Sequence, residues 1–471
     1  MRGLVGYGVY VPYFRLDRKA IAGALGSAGG SGTRSVASYD EDTTSMAVEA
    51  ARAALRSTPG RPDALYFATA GPAYLDKTNA TAIHAALGLD ASALACDMVG
   101  SIRSGAGALR AALQGGGVTL VALSDIRTGL PGGADERQGG DGAAALLVAE
   151  DSRETPVLAE PVAHASATAE FLERWRVPGE AASHQWEERF GEHAYVPLGE
   201  AAVTDALKHA GVTAPAISHW IIAGPHGRAN KRLAASIGAT KGTVVDDLGA
   251  TIGNTGTAHA GLLLAHVLDG APPDQLIAVV SLADGCDVTI WRTTAALAAR
   301  RPSVRAADQL AADGQVGYAN FLTWRGFLER EPPRRPDPEA PAAPPSLRAE
   351  HWKFAFTGSR CQTCGARHLP PQRVCVKCHA IDRMAPERLA DVPATIATFT
   401  VDRLAYSLSP PVVAAVIDFE GGGRFQCELT DVDPAAVKIG DRVGMTFRRL
   451  FTADGVHNYF WKARPLRGGQ R

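Results

Sequence analysis

Four cysteines carry the strongest chemical signal in the sequence. Cys361, Cys364, Cys375 and Cys378 form two Cys-x-x-Cys pairs inside RCQTCGARHLPPQRVCVKCHA, with residues 365–374 between the pairs. Each pair turns two sulfurs toward one point, and four thiolates complete a tetrahedral Zn2+ shell. A closed shell leaves no position for water, so such a zinc is structural. His368 and His379 lie nearby and are expected to face solvent, because the shell is complete without them. Cys96, Cys286 and Cys427 are isolated. This is metal usage, not a disulfide framework, and it fits a reducing cytoplasm.

A second set of reactive side chains lies near the ends of apolar runs. His226 follows the run HWIIAGP and is the titratable group nearest its end. It suits a general acid or base, or a cap on the helix ANKRLAASIG. The loop SLADGCDVTIW offers Asp284, Cys286 and Asp287. Cys286 reads either as an acid/base or as an inert, partly buried thiol. Ser101 and Asn254 stand at two glycine-rich helix starts, GSIRSGAG and GNTGTAHAG. Helix N-termini present backbone donors to an anion or a developing oxyanion. Ser101 as a nucleophile needs a base, and the sequence shows none beside it. His259 and Cys96 read as packing residues and Cys427 as barrel core.

The elements that must position these groups occur twice. ALYFATAGPAYLDKTNATAIHAALG and HWIIAGPHGRANKRLAASIG share a strand, an Ala-Gly-Pro turn and a helix. Each follows an amphipathic helix, MAVEAARAAL or EAAVTDALKHAG, and precedes a small-residue helix and another strand. The order helix, strand, helix, helix, strand, found twice, implies two similar α/β halves. Sites in such sheets lie beyond the carboxyl ends of the strands. The halves are expected at about residues 1–150 and 198–295, with an insertion over about 160–197. That insertion, with Trp175, Trp186 and Tyr195, reads as a helical hairpin on the surface or over the site. A proline-rich linker follows at 331–346. Residues 347–380 read as a short helix plus the cysteine ribbon, and 381–471 as five short strands closing an OB-type barrel.

The words GLVGYGVYVPYFRL, YDEDTTSMAVEAARAAL and IGNTGTAHAG resemble the hydroxymethylglutaryl-CoA synthase branch of the thiolase superfamily over roughly residues 1–330. The resemblance implies a duplicated thiolase-type α/β fold, a coenzyme A thioester as substrate, and a homodimer joined sheet edge to sheet edge. The family works with a Glu, a nucleophilic Cys and a His. Ala70 stands where the Glu should follow the first strand. Ile102, beside Ser101, stands where the Cys should open a helix, and Ala223 stands where the His should follow the second-half strand. Asn254 falls where the superfamily keeps an amide that orients the thioester. Arg228, Lys231 and Arg232 become candidates for the CoA phosphates, or a solvated helix face. Residues 346–468, ending in GVHNYFWKARP, resemble the rubredoxin-like zinc-ribbon and OB unit that accompanies acyl-CoA thiolases.

Composition bounds the function. With 471 residues the chain suggests two to three domains, and its net charge of -1 gives no nucleic-acid or membrane signature. OB folds also bind single strands, but this barrel lacks a dense basic and aromatic stripe. No apolar run reaches membrane-spanning length, and MRGLVGYGVY reads as a strand, not a leader. Three functions fit. One is an acyl-CoA enzyme making or breaking a carbon–carbon bond beside a thioester, with aldol or retro-aldol chemistry favoured by the missing cysteine. The others are a channelling scaffold for a partner thiolase and an acyltransferase.

Overall fold

The computed structural model describes residues 1–26, 30–58, 60–334 and 338–466. Part of the expected linker, 335–337, and the end of the expected barrel unit, 467–471, lie outside the described residues.

The first half begins with β1 (Arg2–Tyr10) and α1 (Thr43–Arg56). It continues through β2 (Ala64–Thr69), α2 (Ala80–Leu87), β3 (Leu94–Val99) and α3 (Ser104–Gln114). It closes with β4 (Thr119–Ile126) and β5 (Asp141–Glu150). The second half repeats the order with β6 (Ala159–Ala167), α4 (Glu188–Ala210), β7 (His219–Ala223) and α5 (Gly227–Ser236). It ends with α6 (His259–Leu268), β8 (Leu276–Leu282) and β9 (Cys286–Thr293). The strands join in the order β7-β8-β9-β6-β1-β5-β4-β2-β3.

The duplication is visible in the pairing. Outward from the Leu4–Ala159 join, β1-β5-β4 are antiparallel and β4-β2-β3 parallel. In the other direction β6-β9-β8 are antiparallel and β8-β7 parallel. The counterpart of β3 shrinks to a parallel bridge between Trp220 and Val244. Helices α1 and α2 pack on the outer face of the first half, and α4 and α5 on that of the second. Between the halves lie α3 and α6, with Ala108, Ala112 and Leu262–Leu264 in their shared core. Small residues on α3 let it pack closely against α6 and the sheet.

Residues 160–197 are not a helical hairpin. They finish β6, form a short ribbon of Arg174–Trp175 paired with His184–Gln185, and then open α4. The strand signal in AEPVAHASA is muted because its buried positions, Ala163 and Ala165, are alanines of low β propensity. The linker also ends early, because Ala343–Arg348 is a helix with its prolines in the first turn. Proline is tolerated there, where the missing N–H had no partner to lose.

Beyond it, strands Thr357–Cys361, Arg367–His368 and Met384–Arg388 form a three-stranded ribbon. Five strands then close a barrel: β10 (Ala394–Asp402), β11 (Val412–Phe419), β12 (Arg424–Leu429), β13 (Arg442–Ala453) and β14 (Val456–Pro465). The barrel packs on α1, and Met46 and Ala50 share one apolar cluster with Phe447 and Trp461. A buried ionic seam runs along the same contact. Arg52 of α1 donates to Glu49 (2.7 Å), Asp391 (3.0 Å) and the Met445 carbonyl (2.8 Å). Arg448 of β13 pairs with Asp431 (2.7 Å) and Glu41 (2.8 Å), and Lys462 with Asp40 (2.9 Å).

Candidate functional site

The end of β2 and the approach to α6 meet at one buried carboxylate. Asp125, at the end of β4, accepts from Thr69 Oγ1 (2.8 Å) and the Ala70 N–H (2.7 Å) at the end of β2. Its other oxygen accepts from the N–H and hydroxyl of Thr257, both at 2.7 Å, just before α6. These four bonds hold the end of β2 against the approach to α6.

Beside this junction is a cavity of about 190 Å³ between α3, α6 and the inner face of β6, β8 and β9. Ile102, Ala223, Gly224, Asn254 and Thr257 line one end. Asn254 Nδ2 donates to the Gly224 carbonyl (2.9 Å), and its Oδ1 accepts from the Gly256 N–H (2.9 Å). An amide has two N–H groups, so one remains for a ligand. Leu123, Leu264 and Val279 make the wall apolar further in.

Arg103, just before α3, fastens that helix to the second half. Its Nε donates to Asp287 (2.7 Å), Nη1 to the Asp284 carbonyl (2.8 Å) and Nη2 to Thr168 (2.8 Å). The approach needs Gly285, at φ +132°, because a Cβ there would lie 2.6 Å from the Arg103 guanidinium. Asp287 lines the cavity and also accepts from Ser166 Oγ (2.6 Å).

The expected site residues divide. Asn254 lies on the cavity, and Ser101 is half-buried in the turn beside Ile102. His226 caps α5: Nδ1 accepts from the Ala229 N–H (3.1 Å), and Nε2 lies 2.8 Å from the Glu188 carbonyl. Both ring nitrogens are therefore engaged by backbone, against Tyr195. Cys286 is fully buried in β9, where burial pushes its thiol up to about 12. Asp284 is exposed at φ +49°. Arg228 pairs with Glu188 (2.9 Å) and Arg232 with Glu192, both on α4, while Lys231 is exposed. His259 is buried, with its imidazolium driven down to about 4 by desolvation. Its Nδ1 accepts from the Thr255 N–H (3.3 Å).

The ribbon after β6 reaches back to the first half. Arg176 Nη2 donates to the Ala70 carbonyl (2.6 Å), and Arg174 pairs with Asp135 (2.5 Å).

In the cysteine ribbon the four sulfurs lie within 4.8 Å of one another. Cys361 and Cys378 are 3.6 Å apart and Cys364 and Cys375 3.5 Å. A tetrahedron with metal–sulfur bonds of about 2.3 Å puts its sulfurs about 3.8 Å apart, so the donor set fits zinc. His368 is not solvent-facing: its strand pairs Ser359 with His368, which leaves the ring 7% exposed. His379 is exposed.

The hydroxymethylglutaryl-CoA synthase of Aeropyrum pernix is 32% identical over 298 residues, covering 60% of this chain and 82% of that protein. The chain belongs to the hydroxymethylglutaryl-CoA synthase family. The Methanosphaera stadtmanae synthase is 28% identical over 350 residues, covering 69% of this chain and 98% of that one. The fold is shared with MvaS in complex with 3-hydroxy-3-methylglutaryl coenzyme A (TM-score 0.59, 22% identity, 72% of this chain and 94% of that chain). It is shared too with 3-oxoacyl-(acyl carrier protein) synthase III from Pseudomonas aeruginosa PAO1 (TM-score 0.55, 21% identity, 62% of this chain and 98% of that chain). Residues 387–448 match the family described as ChsH2, C-terminal OB-fold domain.

For a member of the synthase family the cavity wall is unusual. Ile102 and Ala223, the positions expected to hold the Cys and the His, line it with carbon alone. Its ionisable lining is Arg110 and Asp287 among the described residues. Arg103, Arg110, Asp125 and Arg176 escaped the sequence reading. The partners of Arg103, Asp125 and Arg176 lie tens to hundreds of positions away, and no local pattern marks any of the four.

Proposed function

We propose that this chain is an acyl-CoA enzyme that makes or breaks a carbon–carbon bond beside the thioester, by aldol or retro-aldol chemistry and without an acyl-cysteine. The observation that carries this is one cavity that gathers Asn254 and the approaches to two helices, with Ile102 on its wall at the position where the resemblance expects the nucleophile. Asn254 and backbone donors stabilise the thioester enolate as it forms. Asp287, the carboxylate on the cavity wall, exchanges the proton with the substrate hydroxyl. Cys361, Cys364, Cys375 and Cys378 would hold one structural Zn2+, which supplies fold stability and no chemistry.

The test is turnover of β-hydroxyacyl-CoA esters together with intact-protein mass spectrometry. Cleavage or condensation with no covalent adduct supports the reading. A stable acyl adduct on residues 97–110 overturns it and assigns the nucleophile to Ser101. An adduct on Cys286 overturns it in favour of the second half.

A second reading is a scaffold that binds an acyl-CoA and channels it to a partner thiolase. It is favoured by Arg176, which covers the Ala70 carbonyl where the family's Glu would stand. Tight thiolase binding with no turnover of any ester selects it.

A further inference from the structure

One charge on the cavity wall has no hydrogen-bond or ion-pair partner among the described residues. Arg110 and Asp287 are the charged residues lining the cavity. Asp287 is already divided between Arg103 Nε (2.7 Å) and Ser166 Oγ (2.6 Å). Arg110 makes no hydrogen bond and no ion pair within 4.0 Å among the described residues. Burial pulls its pKa down, and only the longer-range field of Asp287 opposes that. His164, on β6 beside it, is held toward its neutral form by burial and by Arg110 itself. Asp284 does not line the cavity. Arg103 and Arg110 are seven residues apart, so they share one face of α3 two turns apart. Asp287 is thus held by Arg103 and Ser166, and the Arg110 guanidinium on the cavity wall is left without a direct acceptor among the described residues.

The space between Arg110 and the Asn254 end is apolar. Leu109, Leu264 and Val279 are among its lining residues, and Leu113 follows Arg110 on α3. From Ser104 to Arg110 the helix rises about 9 Å. An extended carbon chain advances roughly 1.25 Å per bond, so about seven bonds cover that distance.

We propose that the cavity selects an acyl-CoA whose medium-length acyl chain ends in a carboxylate, with Arg110 as its counter-ion. The proposal rests on the acyl-CoA reading above, with the thioester at the Ile102–Asn254 end. A planar guanidinium meets a carboxylate through two parallel N–H···O bonds, and leaving it unmet in a half-buried cavity is unfavourable. A CoA phosphate is the other anion that the same guanidinium would accept, and the experiment separates the two.

The experiment is calorimetric titration of the full chain with suberyl-CoA, octanoyl-CoA and free CoA. Suberyl-CoA is expected to bind roughly 10-fold or more tighter than octanoyl-CoA, a difference of about 1.4 kcal/mol. Arg110→Gln should bring the two affinities to within about twofold of each other, and Arg110→Lys should restore part of the difference. Equal binding of the two esters by the wild-type chain overturns the proposal and leaves the acyl-CoA reading intact. Loss of affinity for suberyl-CoA, octanoyl-CoA and free CoA alike in Arg110→Gln also overturns it, and assigns Arg110 to a CoA phosphate. Binding of none of the three overturns both.

Discussion

At the scale of residues, the proposed chemistry draws on one amide, backbone donors and one carboxylate, Asp287. Asn254 spends one amide hydrogen on Gly224 and keeps another. Asn254→Ala is expected to lower turnover of a β-hydroxyacyl-CoA by ~100-fold or more, as losing one well-placed oxyanion donor does. Steady-state kcat checks this, and a loss under about threefold would remove Asn254 from the site. His226→Ala should instead behave as a lost helix cap, costing about 1 kcal/mol of stability in urea unfolding. Cys286, with its thiol near 12 and no exposure, should resist iodoacetamide in the native chain and react only after unfolding. Labelling of native Cys286 within minutes would contradict its burial.

At the scale of elements, α1 and the cysteine ribbon each depend on something the local sequence does not contain. α1 begins with a reciprocal cap between Asp42 and Ser45. Its charged positions, Glu49 and Arg52, are about 3% exposed as side chains because the barrel covers them. Removing one partner of a buried pair strands the other, so Glu49→Ala should destabilise the chain by about 3–5 kcal/mol in denaturant unfolding. A cost below 1 kcal/mol would mean that water reaches Arg52. For the ribbon, elemental analysis after native purification should find one Zn2+ per chain. Less than about half an equivalent would argue against the four-thiolate site.

At the scale of the whole molecule, the ionic seam makes barrel docking acid-sensitive. Burial raises the Glu49 carboxyl, but Arg52 and Arg464 outweigh it and bring it from the usual 4.5 to about 2. Asp391 is likewise pulled down, by Arg52, Arg388 and Arg56 against burial. A carboxyl depressed in the folded state contributes stability that is complete above its unfolded pKa and lost as pH falls through the folded one. The contribution of Glu49 and Asp391 to the melting temperature should therefore be complete above about pH 5 and be lost steeply between pH 4.5 and about 2. A flat profile across that window, followed by differential scanning calorimetry, would count against the seam. The other whole-molecule expectation is a homodimer. β3 is the sheet edge, with Leu94 54% and Val99 42% exposed, and edge strands invite pairing. Light scattering at micromolar concentration should give twice the chain mass of 49.3 kDa.

The sequence by itself determined what repeats or is contiguous. The two Ala-Gly-Pro turns mark strand–helix units because hydrophobic period and turn chemistry are local properties. The four cysteines mark one cluster with the donor set for a metal, because two knuckles need only their own spacing. The five barrel strands show because each alternates between turn residues. Only the tertiary structure decided where long-range partners fall. It made β6 a strand, because alanines at Ala163 and Ala165 bury without announcing a period. It set His226 on α5 as a cap, by bringing Ala229 and Glu188 to its two nitrogens. It put Arg110 on a cavity wall whose one carboxylate Arg103 and Ser166 already hold. Pairings across tens to hundreds of residues are fixed by the packing of two halves and a barrel. A chain read from end to end shows the groups, and the fold decides which of them meet.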